Sequence, residues 1–499
     1  MRCRWRRSLT DTAVWRFDNT LVRQLDGFFA PWQADPAKAP RMVLFNDTLA
    51  AQLGLPGRAA GDDTLAGWLS GRDPVPGSEP AALVYAGHQF GHFNPQMGDG
   101  RALLLGEVVA SDGARFDLQF KGSGTTPYSR GGDGKSTLAA ALREYLMSEA
   151  VAALGVPTTR SLAVVTTGEG VWREEPHHGA VLTRVAASHL RIGTFEWAAA
   201  HKGRAAVELL ADYALQRHYP ALTGAANRPL ALLEAVADAQ ARLVARWMAL
   251  GFVHGVMNTD NVTISGETID YGPCAFLDAY TAAQVFSSID HHGRYAFGQQ
   301  PAVAHWNLYR LAGALIEAIA AVDEGDTEAA RVLLEKWPQR YEAYWLAELR
   351  AKLGLGDARE DDFALAQDLF AALEGQQADF TGLFRALGAS LEHGYGVIAD
   401  ELTDRDALRP WFERWQTRLT EEPGDAATRR AAMDAANPLY VARNHLTDAA
   451  LAAAGAGDLV PLEALLDAVS RPFARRDGLE QFERGAPTGS PRFVTYCGT

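Results

Sequence analysis

Three oxygen-bearing side chains lie close together in the stretch NTDNVTISGETIDYG. Asp260 and Asn261 are adjacent, and Asp270 follows in an Asp-Tyr-Gly tripeptide. Kinase-type sites need a carboxylate that accepts the nucleophile's proton, an amide oxygen for one Mg²⁺ and a second carboxylate that bridges the metal ions. These residues supply the three groups. A lone Asp-Tyr-Gly is common in turns, and protein kinases separate the Asp from the Asn, so the motif depends on its context.

A lysine at the end of an apolar strand is the second signal. In DLQFKGSG, Leu118 and Phe120 alternate onto one side, and Lys121 leaves the strand into glycines. Only six of the 47 basic residues are lysines, so a lysine in an apolar strand is unusual here. Glu144 stands in the next helix, and kinases pair such residues to hold the α- and β-phosphates. The alternative is a surface lysine and an ordinary helix glutamate.

The stretch RGGDGKSTLAAALREYL resembles a Walker phosphate loop. That motif requires Gly-x4-Gly-Lys-Ser/Thr directly after a strand. Ser129 stands where the first glycine would be, and the preceding TTPYSRGG is typical of a loop. We therefore interpret the Gly-Lys-Ser-Thr sequence as coincidental, and the role of Lys135 stays open.

The pattern along the chain predicts an α+β protein with a two-lobed, protein-kinase-like fold. Residues 1–80 form a helix-containing extension, residues 81–197 a β-rich N-lobe, and residues 198–499 a largely helical C-lobe with a C-terminal extension. The N-lobe has one main helix, Thr137 to Leu154, which Gly155 and Pro157 end. In the C-lobe, long helices flank NVTISGETIDYG, which predicts a β-hairpin that turns at Ser265-Gly266.

Composition excludes several classes of protein. The net charge of −14 argues against a general nucleic-acid binder, and no apolar run is long enough to cross a membrane. Three cysteines are too few and too scattered for a disulfide framework or a zinc cluster. We expect a monomeric protein located in the cytoplasm of a bacterium. The Arg-rich start, MRCRWRRSLT, leaves an organellar leader as the alternative.

Long motifs resemble the selenoprotein-O family, the bacterial YdiU-type proteins, between about Tyr85 and Pro301. They include YAGHQFGHFNPQMGDGRALLLGE, FKGSGTTPYSRGGDGKSTLAAALREYLMSEA, TRVAASHLRIGTFE and VHGVMNTDNVTISGETIDYGP. The resemblance implies an atypical kinase fold, sometimes called a pseudokinase, that transfers AMP from ATP to Ser, Thr or Tyr hydroxyls of proteins. It also implies a magnesium cofactor, with manganese as the alternative.

Position by position, the resemblance assigns the site residues. Asp260 is the base, Asn261 and Asp270 bind the metal, and Glu144 is the partner of the lysine. The nucleotide contacts fall on Gly98, Gly100, Arg101, Lys121, Asp133, Gly134, Arg184, Arg191 and Asp270. We expect the residues of both lobes to converge on one triphosphate, with pyrophosphate as the leaving group. Two rival functions are a phosphotransferase that moves the γ-phosphate and a non-catalytic ATP-binding scaffold.

Histidines and cysteines give weaker signals. His88 and His92 have the spacing of a metal pair but lack the Glu of H-E-x-x-H, so we interpret them as structural. Cys497 stands where some family members carry selenocysteine or cysteine. The cysteine that can pair with it is absent here, with Phe286 near the matching place and Cys274 as the only nearby thiol. We favour an unpaired tail cysteine over a regulatory disulfide.

Overall fold

The computed structural model describes residues 15–487 and 489–496. These residues form two compact units. The sheet unit contains residues 15–84, Gly98–Ala141 and Ser161–Ala187. The helical unit contains Tyr85–Met97, Leu142–Arg160 and residues 188–496. Both units are discontinuous along the chain, whereas the predicted segments 1–80, 81–197 and 198–499 are contiguous. In the part of the chain that the structure describes, no helix has the length and apolarity needed to cross a bilayer.

Strands dominate the sheet unit. The strands of the molecule are β1 (Phe29–Pro31), β2 (Arg41–Phe45), β3 (Ala81–Leu83), β4 (Gly87–Gln89), β5 (His92–Asn94), β6 (Ala102–Val109), β7 (Arg115–Lys121), β8 (Ser136–Thr137), β9 (Arg160–Trp172), β10 (Pro176–Ala186), β11 (Phe252–Val253) and β12 (Ala275–Phe276). An eight-stranded antiparallel sheet has the order β1-β3-β6-β7-β10-β9-β2, with β8 paired to β10. The predicted N-terminal extension therefore supplies both outer strands, β1 and β2.

Helices make up most of the helical unit, and the sheet unit contains three more. They are α1 (Thr20–Gln24), α2 (Asp47–Leu53), α3 (Asp62–Leu69), α4 (Leu138–Ala153), α5 (Ile192–His201), α6 (Arg204–His218), α7 (Arg228–Leu250), α8 (Gln300–Val322), α9 (Asp326–Glu335), α10 (Trp337–Leu353), α11 (Asp362–Leu373), α12 (Phe380–His393), α13 (Gly396–Ala399), α14 (Arg409–Leu419), α15 (Ala426–Ala436), α16 (Asn444–Gly455) and α17 (Val460–Ser470). Helices α1, α2 and α3 belong to the sheet unit.

Strand alternation gives the sheet one apolar face and one polar face. Leu118 and Phe120 of β7 join a core with side chains of helices α2 and α3, including Leu49 and Leu65. Because successive side chains point to opposite faces, Lys121 lies on the face away from this core. Helices α2 and α3 thus cover the apolar face of the sheet and not its polar face.

Two helix predictions test the sequence patterns. Helix α4 begins and ends within one residue of the predicted Thr137–Leu154. The continuous helical pattern of ARVLLEKWPQRYEAYWLAEL predicts one helix, and this prediction is wrong: the stretch divides into α9 and α10 around Lys336. Pro338 lies in the first turn of α10, where its missing N–H has no intrahelical partner to lose.

Helix α7 is the central long helix of the helical unit and packs against α8 and α10. Asn227 caps its start by accepting a hydrogen bond from the Leu230 N–H at 3.2 Å. Gly251 ends the helix in the left-handed backbone conformation, with a φ of 71°. A Cβ at Gly251 would lie 2.6 Å from the Phe380 ring, so a side chain does not fit there. The turn delivers the chain into β11 and then the segment that carries Asp260.

Candidate active site

The polar face of the sheet carries Lys121 and Arg184. Lys121 ends β7 opposite Ala102 of β6 and Leu182 of β10. Arg184 of β10 lies opposite Gln119, and its Nη1 donates to Gln119 Oε1 at 3.3 Å. Both cations are buried. The antiparallel register thus places two cations on one face of neighbouring strands.

The MGDGRA turn packs beside this face. Gly98 has a φ of 130°, and a Cβ there would lie 2.6 Å from the Tyr128 ring and 2.9 Å from the Leu83 carbonyl oxygen. A Cβ on Gly100 would lie 2.8 Å from the Tyr128 carbonyl oxygen, so a side chain does not fit there either. The carbonyl of Arg101 accepts a hydrogen bond from the Gly122 N–H at 2.7 Å. The turn therefore meets the loop that follows Lys121.

The glycine stretch that resembles a Walker loop meets the same loop. Gly134 has a φ of 65°, and the Gly124 N–H donates to its carbonyl at 3.2 Å. A Cβ on Gly134 would lie 1.9 Å from the Gly124 oxygen, so only glycine fits this approach. The sheet unit thus brings Gly100, Lys121 and Gly134 to one group of loops.

Asp133 and Lys135 have protein partners of their own. Asp133 accepts from Arg173 Nη1 at 2.8 Å and Nη2 at 3.1 Å, which lowers the pKa of this carboxyl. Lys135 Nζ lies 2.8 Å from Glu169 Oε2. An ion pair is therefore the structural role of Lys135, the point that the sequence left open. Arg173 and Glu169 were not singled out from the sequence.

The predicted base Asp260 lies in the 3₁₀ segment Thr259–Asn261 of the helical unit, and we call this segment the catalytic turn because of that prediction. Asp260 is buried there, and its Oδ1 has no hydrogen-bond partner among the described residues. Burial raises the pKa of Asp260 to about 6, against the opposing charge of Arg191. Arg191 Nη1 donates to the Asp260 carbonyl oxygen at 3.1 Å, and its guanidinium lies 4.4 Å from the centre of the Tyr85 ring.

A hairpin formed by β4 and β5 covers the catalytic turn. The His88 N–H donates to Thr259 Oγ1 at 2.7 Å, and the Phe90 N–H donates to Asn258 Oδ1 at 3.0 Å. A Cβ at Gly87 would lie only 2.4 Å from Asp260 Oδ1. Glycine at this position therefore lets the hairpin backbone approach the carboxylate directly.

Buried polar side chains join the hairpin to helix α5. His88 Nδ1 lies 2.6 Å from Glu196 Oε1, and Thr259 Oγ1 donates to Glu196 Oε2 at 2.6 Å. Burial raises the pKa of Glu196, and the hydrogen bond from Thr259 opposes this change. His88 thus has a structural partner, as expected. The role of Glu196 was missed because GTFEW gives no local signal for it.

Asn261 and Asp270 lie at the two ends of the segment that was predicted to be a β-hairpin. That prediction was wrong: residues 262–270 contain isolated bridges, Thr263 with Arg191 and Thr268 with Thr158, and no paired strands. Thr263 Oγ1 closes the turn instead, donating to the Glu267 carbonyl at 2.7 Å. Asp270 has a left-handed backbone with a φ of 66°.

Helix α4 connects to the segment after Asp270. Arg143 Nε donates to the Gly272 carbonyl at 3.0 Å, a contact that the sequence did not reveal. The next residue, Glu144, is buried in the helical unit. Its pairing with Lys121 stays a prediction.

Comparison with known proteins identifies the family. The model of the family described as "Protein adenylyltransferase SelO" matches residues 12–470. A protein nucleotidyltransferase YdiU of Sphingopyxis alaskensis is 54% identical over 97% of this chain and 99% of its own length. Its counterparts in Cereibacter sphaeroides and Rhodococcus jostii are 52% and 51% identical, over 97% and 98% of this chain and 100% and 96% of their own lengths.

The chain belongs to the SelO family. The predicted resemblance is therefore confirmed over nearly the whole chain, well beyond the motifs between Tyr85 and Pro301. This membership makes the chain a protein adenylyltransferase, a nucleotidyltransferase that uses ATP as its AMP donor and proteins as acceptors.

Cys274 is the cysteine nearest to the Asp-Tyr-Gly tripeptide in the sequence. Cys274 is a free, buried cysteine, and burial raises its pKa to about 12. Cys497 lies outside the described residues. The nearby tail residue Thr495 accepts a hydrogen bond from the Ser288 N–H at 2.9 Å and donates its own N–H to the Phe286 carbonyl at 2.8 Å. In the described ranges, no group of three or more His, Cys, Asp or Glu side chains could hold a metal ion.

Proposed function

We propose that this SelO-family enzyme transfers AMP from ATP to Ser, Thr or Tyr hydroxyls of proteins by a kinase-like site in a two-lobed kinase-like fold. Asp260 accepts the proton of the hydroxyl, and the hydroxyl oxygen forms a bond to the α-phosphorus. The bond between the α-phosphorus and the bridging oxygen breaks, and pyrophosphate leaves. A cytoplasmic location and a monomeric state stay predictions.

The unpartnered oxygen of Asp260 is the observation that carries this proposal. A buried carboxylate oxygen without a hydrogen-bond donor is costly, so it calls for an incoming donor. The acceptor hydroxyl is such a donor. The surrounding turn is fixed by Arg191 at the Asp260 carbonyl and by the hairpin at Thr259, which holds the base in one position.

Lys121, Arg184 and Arg191 are the proposed phosphate-binding cations. Transfer to the α-phosphorus leaves the negative charge on pyrophosphate, and cations at that group lower the barrier more than cations at the acceptor would. Arginine provides forked donors that suit phosphate oxygens. Asp133 is occupied by Arg173 and lies beside Gly134, so its proposed part is to fix the glycine loop.

Asn261 and Asp270 fit a divalent cation such as Mg²⁺, with Mn²⁺ as the alternative. Asn261 Nδ2 donates to the Val256 carbonyl at 3.2 Å, which leaves its amide oxygen for a cation. Asp270 offers a carboxylate, and oxygen ligands of this kind suit Mg²⁺, which takes its remaining ligands from phosphate and water. When bound, the ion would offset the charge of the triphosphate.

Isotope placement tests the function. We expect label from ATP carrying ³²P at the α-phosphate to enter acceptor protein, and label at the γ-phosphate to leave as pyrophosphate. Asp270→Ala should abolish the labelling, because a metal ligand is lost. The matched control is Asp448→Asn, an exposed carboxylate on α16, which should label like the parent. Acceptor proteins are then identified by mass spectrometry.

Other labelling patterns would contradict the proposal. Transfer of γ-label to protein would make the enzyme a phosphotransferase, and absence of either label would make it a scaffold. Full activity of the Asp270→Ala enzyme would overturn the metal assignment while leaving AMP transfer intact.

A further inference from the structure

A groove of about 700 Å³ lies next to the catalytic turn within the helical unit. One wall is the tip of the β4–β5 hairpin at Phe90, and another is the first part of helix α8, including Trp306. The floor is the loop between Ile289 and Arg294. We call this feature the α8 groove. None of the residues proposed for the reaction lines it.

The walls of the α8 groove are tied to the catalytic turn. The Phe90 N–H and the Tyr295 hydroxyl both donate to Asn258 Oδ1, at 3.0 and 2.5 Å. Asn258 stands two residues before Asp260. The groove walls are therefore joined by hydrogen bonds to the turn that carries the residue that we propose as the base.

Two arginines in and beside the groove lack a carboxylate partner. The guanidinium groups of Arg294 and Arg310 lie 4.7 and 5.2 Å from the centre of the Trp306 ring. The Nε atoms of both arginines are buried, and neither has a hydrogen-bond partner among the described residues. Neither arginine forms an ion pair in the described ranges. By contrast, the buried Arg418 and Arg443 of the same unit have carboxylates at 2.9 and 2.6 Å.

The nearby carboxylates are already engaged. Asp290 accepts from the backbone N–H groups of Arg294 and Tyr295, at 2.9 and 2.8 Å. Glu196 lies near enough to Arg310 for that charge to lower its pKa, but its two oxygens accept from His88 and Thr259. These two carboxylates therefore form no ion pair with Arg294 or Arg310, whose guanidinium groups keep donors for a further acceptor.

The rest of the groove suits a polypeptide. Ile289 in the floor is 44% exposed, and Phe90 and Trp306 line the walls. Two exposed histidines, His291 and His292, lie in the floor. A surface that combines apolar side chains with arginines that form no ion pair in the described ranges matches a segment with carboxylates and apolar residues. The net charge of −14 disfavours a long polyanion such as RNA.

We propose that the α8 groove binds an acidic segment of the acceptor protein, adjacent in sequence to the hydroxyl that receives AMP. This inference rests on the proposed function, in which Asp260 meets that hydroxyl. Arg294 and Arg310 bind the carboxylates of the segment, and Trp306 and Ile289 contact its apolar side chains. The groove therefore selects acceptors by the sequence around the target residue.

Binding is measured directly, without catalysis. The probes are fluorescent peptides with a central Tyr, Ser or Thr flanked by Asp and Glu, by Ala, or by Lys, and fluorescence anisotropy reports their affinity for the full chain. We expect acidic peptides to bind at least about tenfold tighter than alanine peptides, as one or two charge-assisted hydrogen bonds allow. The Arg294→Ala, Arg310→Ala double variant should lose that preference, and the Arg294→Glu variant should prefer lysine peptides.

Controls separate a local effect from misfolding. Arg405→Ala removes an exposed arginine far along the chain and should keep the parent's preference. ATP affinity and thermal melting of the groove variants should equal those of the parent. Equal binding of the three peptides by the parent, or an unchanged preference in the double variant, would overturn the proposal. Stronger displacement of the acidic peptide by an RNA oligonucleotide than by unlabelled peptide would overturn it as well.

Kinetics distinguish this proposal from the proposed function. With α-labelled ATP, the double variant should raise KM for acidic peptides about tenfold and leave kcat unchanged. Labelling of all peptides with equal efficiency would refute the groove and leave AMP transfer standing. Selective binding of acidic peptides without any α-label would refute AMP transfer and leave the groove standing.

Discussion

Hydrogen bonds link the polar side chains of the sheet unit to one another, whereas Asp260 in the catalytic turn of the helical unit has a carboxylate oxygen that accepts from no described residue. Gln119 binds Arg184 at 3.3 Å through its oxygen and Asp99 at 3.1 Å through its nitrogen. Asp133 is held by both terminal nitrogens of Arg173. In the helical unit, Thr259 is fixed by two hydrogen bonds, but its neighbour Asp260 keeps a buried Oδ1 without a donor.

The difference suggests that the two regions have different functions in the reaction. A network of side chains linked by hydrogen bonds holds a fixed shape, which suits ATP binding. A buried, unpartnered carboxylate in a rigid turn suits proton transfer, since its hydrogen-bonding capacity is saved for the reacting hydroxyl. We therefore expect changes in the sheet unit to act on KM for ATP and changes at the turn to act on kcat.

Asp260→Asn should have the largest effect. The amide keeps the shape of the side chain but cannot accept the proton, so we expect kcat to fall by about 10²- to 10⁴-fold, the usual contribution of a general base. ATP affinity, measured by calorimetry, should stay within about twofold of the parent. Asp448→Asn is the control. A variant with parental kcat would show that the unpartnered oxygen has no part in the reaction.

Arg184→Met should act on ATP instead. Methionine retains much of the apolar volume of the buried side chain but removes the charged donors, so we expect KM for ATP to rise roughly 10- to 100-fold, as expected for a charged hydrogen bond worth ~1.5–3 kcal/mol. Arg115→Met provides a matched control, because Arg115 begins β7, the strand that pairs with the strand of Arg184. If kcat falls and KM stays constant, the proposed division of work between the two units is wrong.

Gly87→Ala should have a smaller effect, confined to the turn. The added Cβ would lie 2.4 Å from Asp260 Oδ1, so the hairpin or the carboxylate must shift. We expect roughly a tenfold loss of kcat with unchanged ATP affinity, because small displacements of reacting groups slow catalysis. Gly313→Ala on α8, where a Cβ meets nothing within 4 Å, should be neutral. Equal kcat losses in both variants would indicate a general effect on stability.

Local patterns predicted the residues of the sheet unit better than those of the turn. Alternation in DLQFKG was enough to place Lys121 on the face opposite Phe120, because strand geometry has a period of two. Gly155 ended helix α4 as the sequence predicted. The family resemblance added Arg184 and Gly134, which no local pattern distinguishes from other arginines and glycines of the chain.

The environment of Asp260 could not be predicted because it depends on contacts between distant parts of the chain. His88 and Thr259 are 171 positions apart, and Glu196 lies between them in sequence without a recognisable motif. The segment between Asn261 and Asp270 had the composition of a hairpin. The side chain of Thr263 satisfies the backbone of its turn, and this competes with strand pairing.

Lys352 tests whether a buried ionisable group is sufficient evidence of function. Burial lowers the pKa of this lysine of α10 to about 7, and its Nζ lies 3.9 Å from the centre of the Phe384 ring. Between pH 7 and the ordinary lysine pKa, the unfolded chain binds a proton that the folded chain lacks. The free energy of unfolding should therefore rise with pH in that window by up to about 1.4 kcal/mol per pH unit from this group, and the gain is lost as the pH falls to 7.

Lys352→Met should remove this pH dependence and leave AMP transfer unchanged. At pH 7 the variant should unfold at higher denaturant concentration than the parent, and its advantage should shrink as the pH rises to 9. Lys336→Met, at an exposed lysine, should show neither effect. If Lys352→Met instead lowers kcat as Asp260→Asn does, burial of an ionisable side chain does not separate structural from catalytic groups in this unit. The case for Asp260 would then depend on its position beside Gly87 and Arg191 alone.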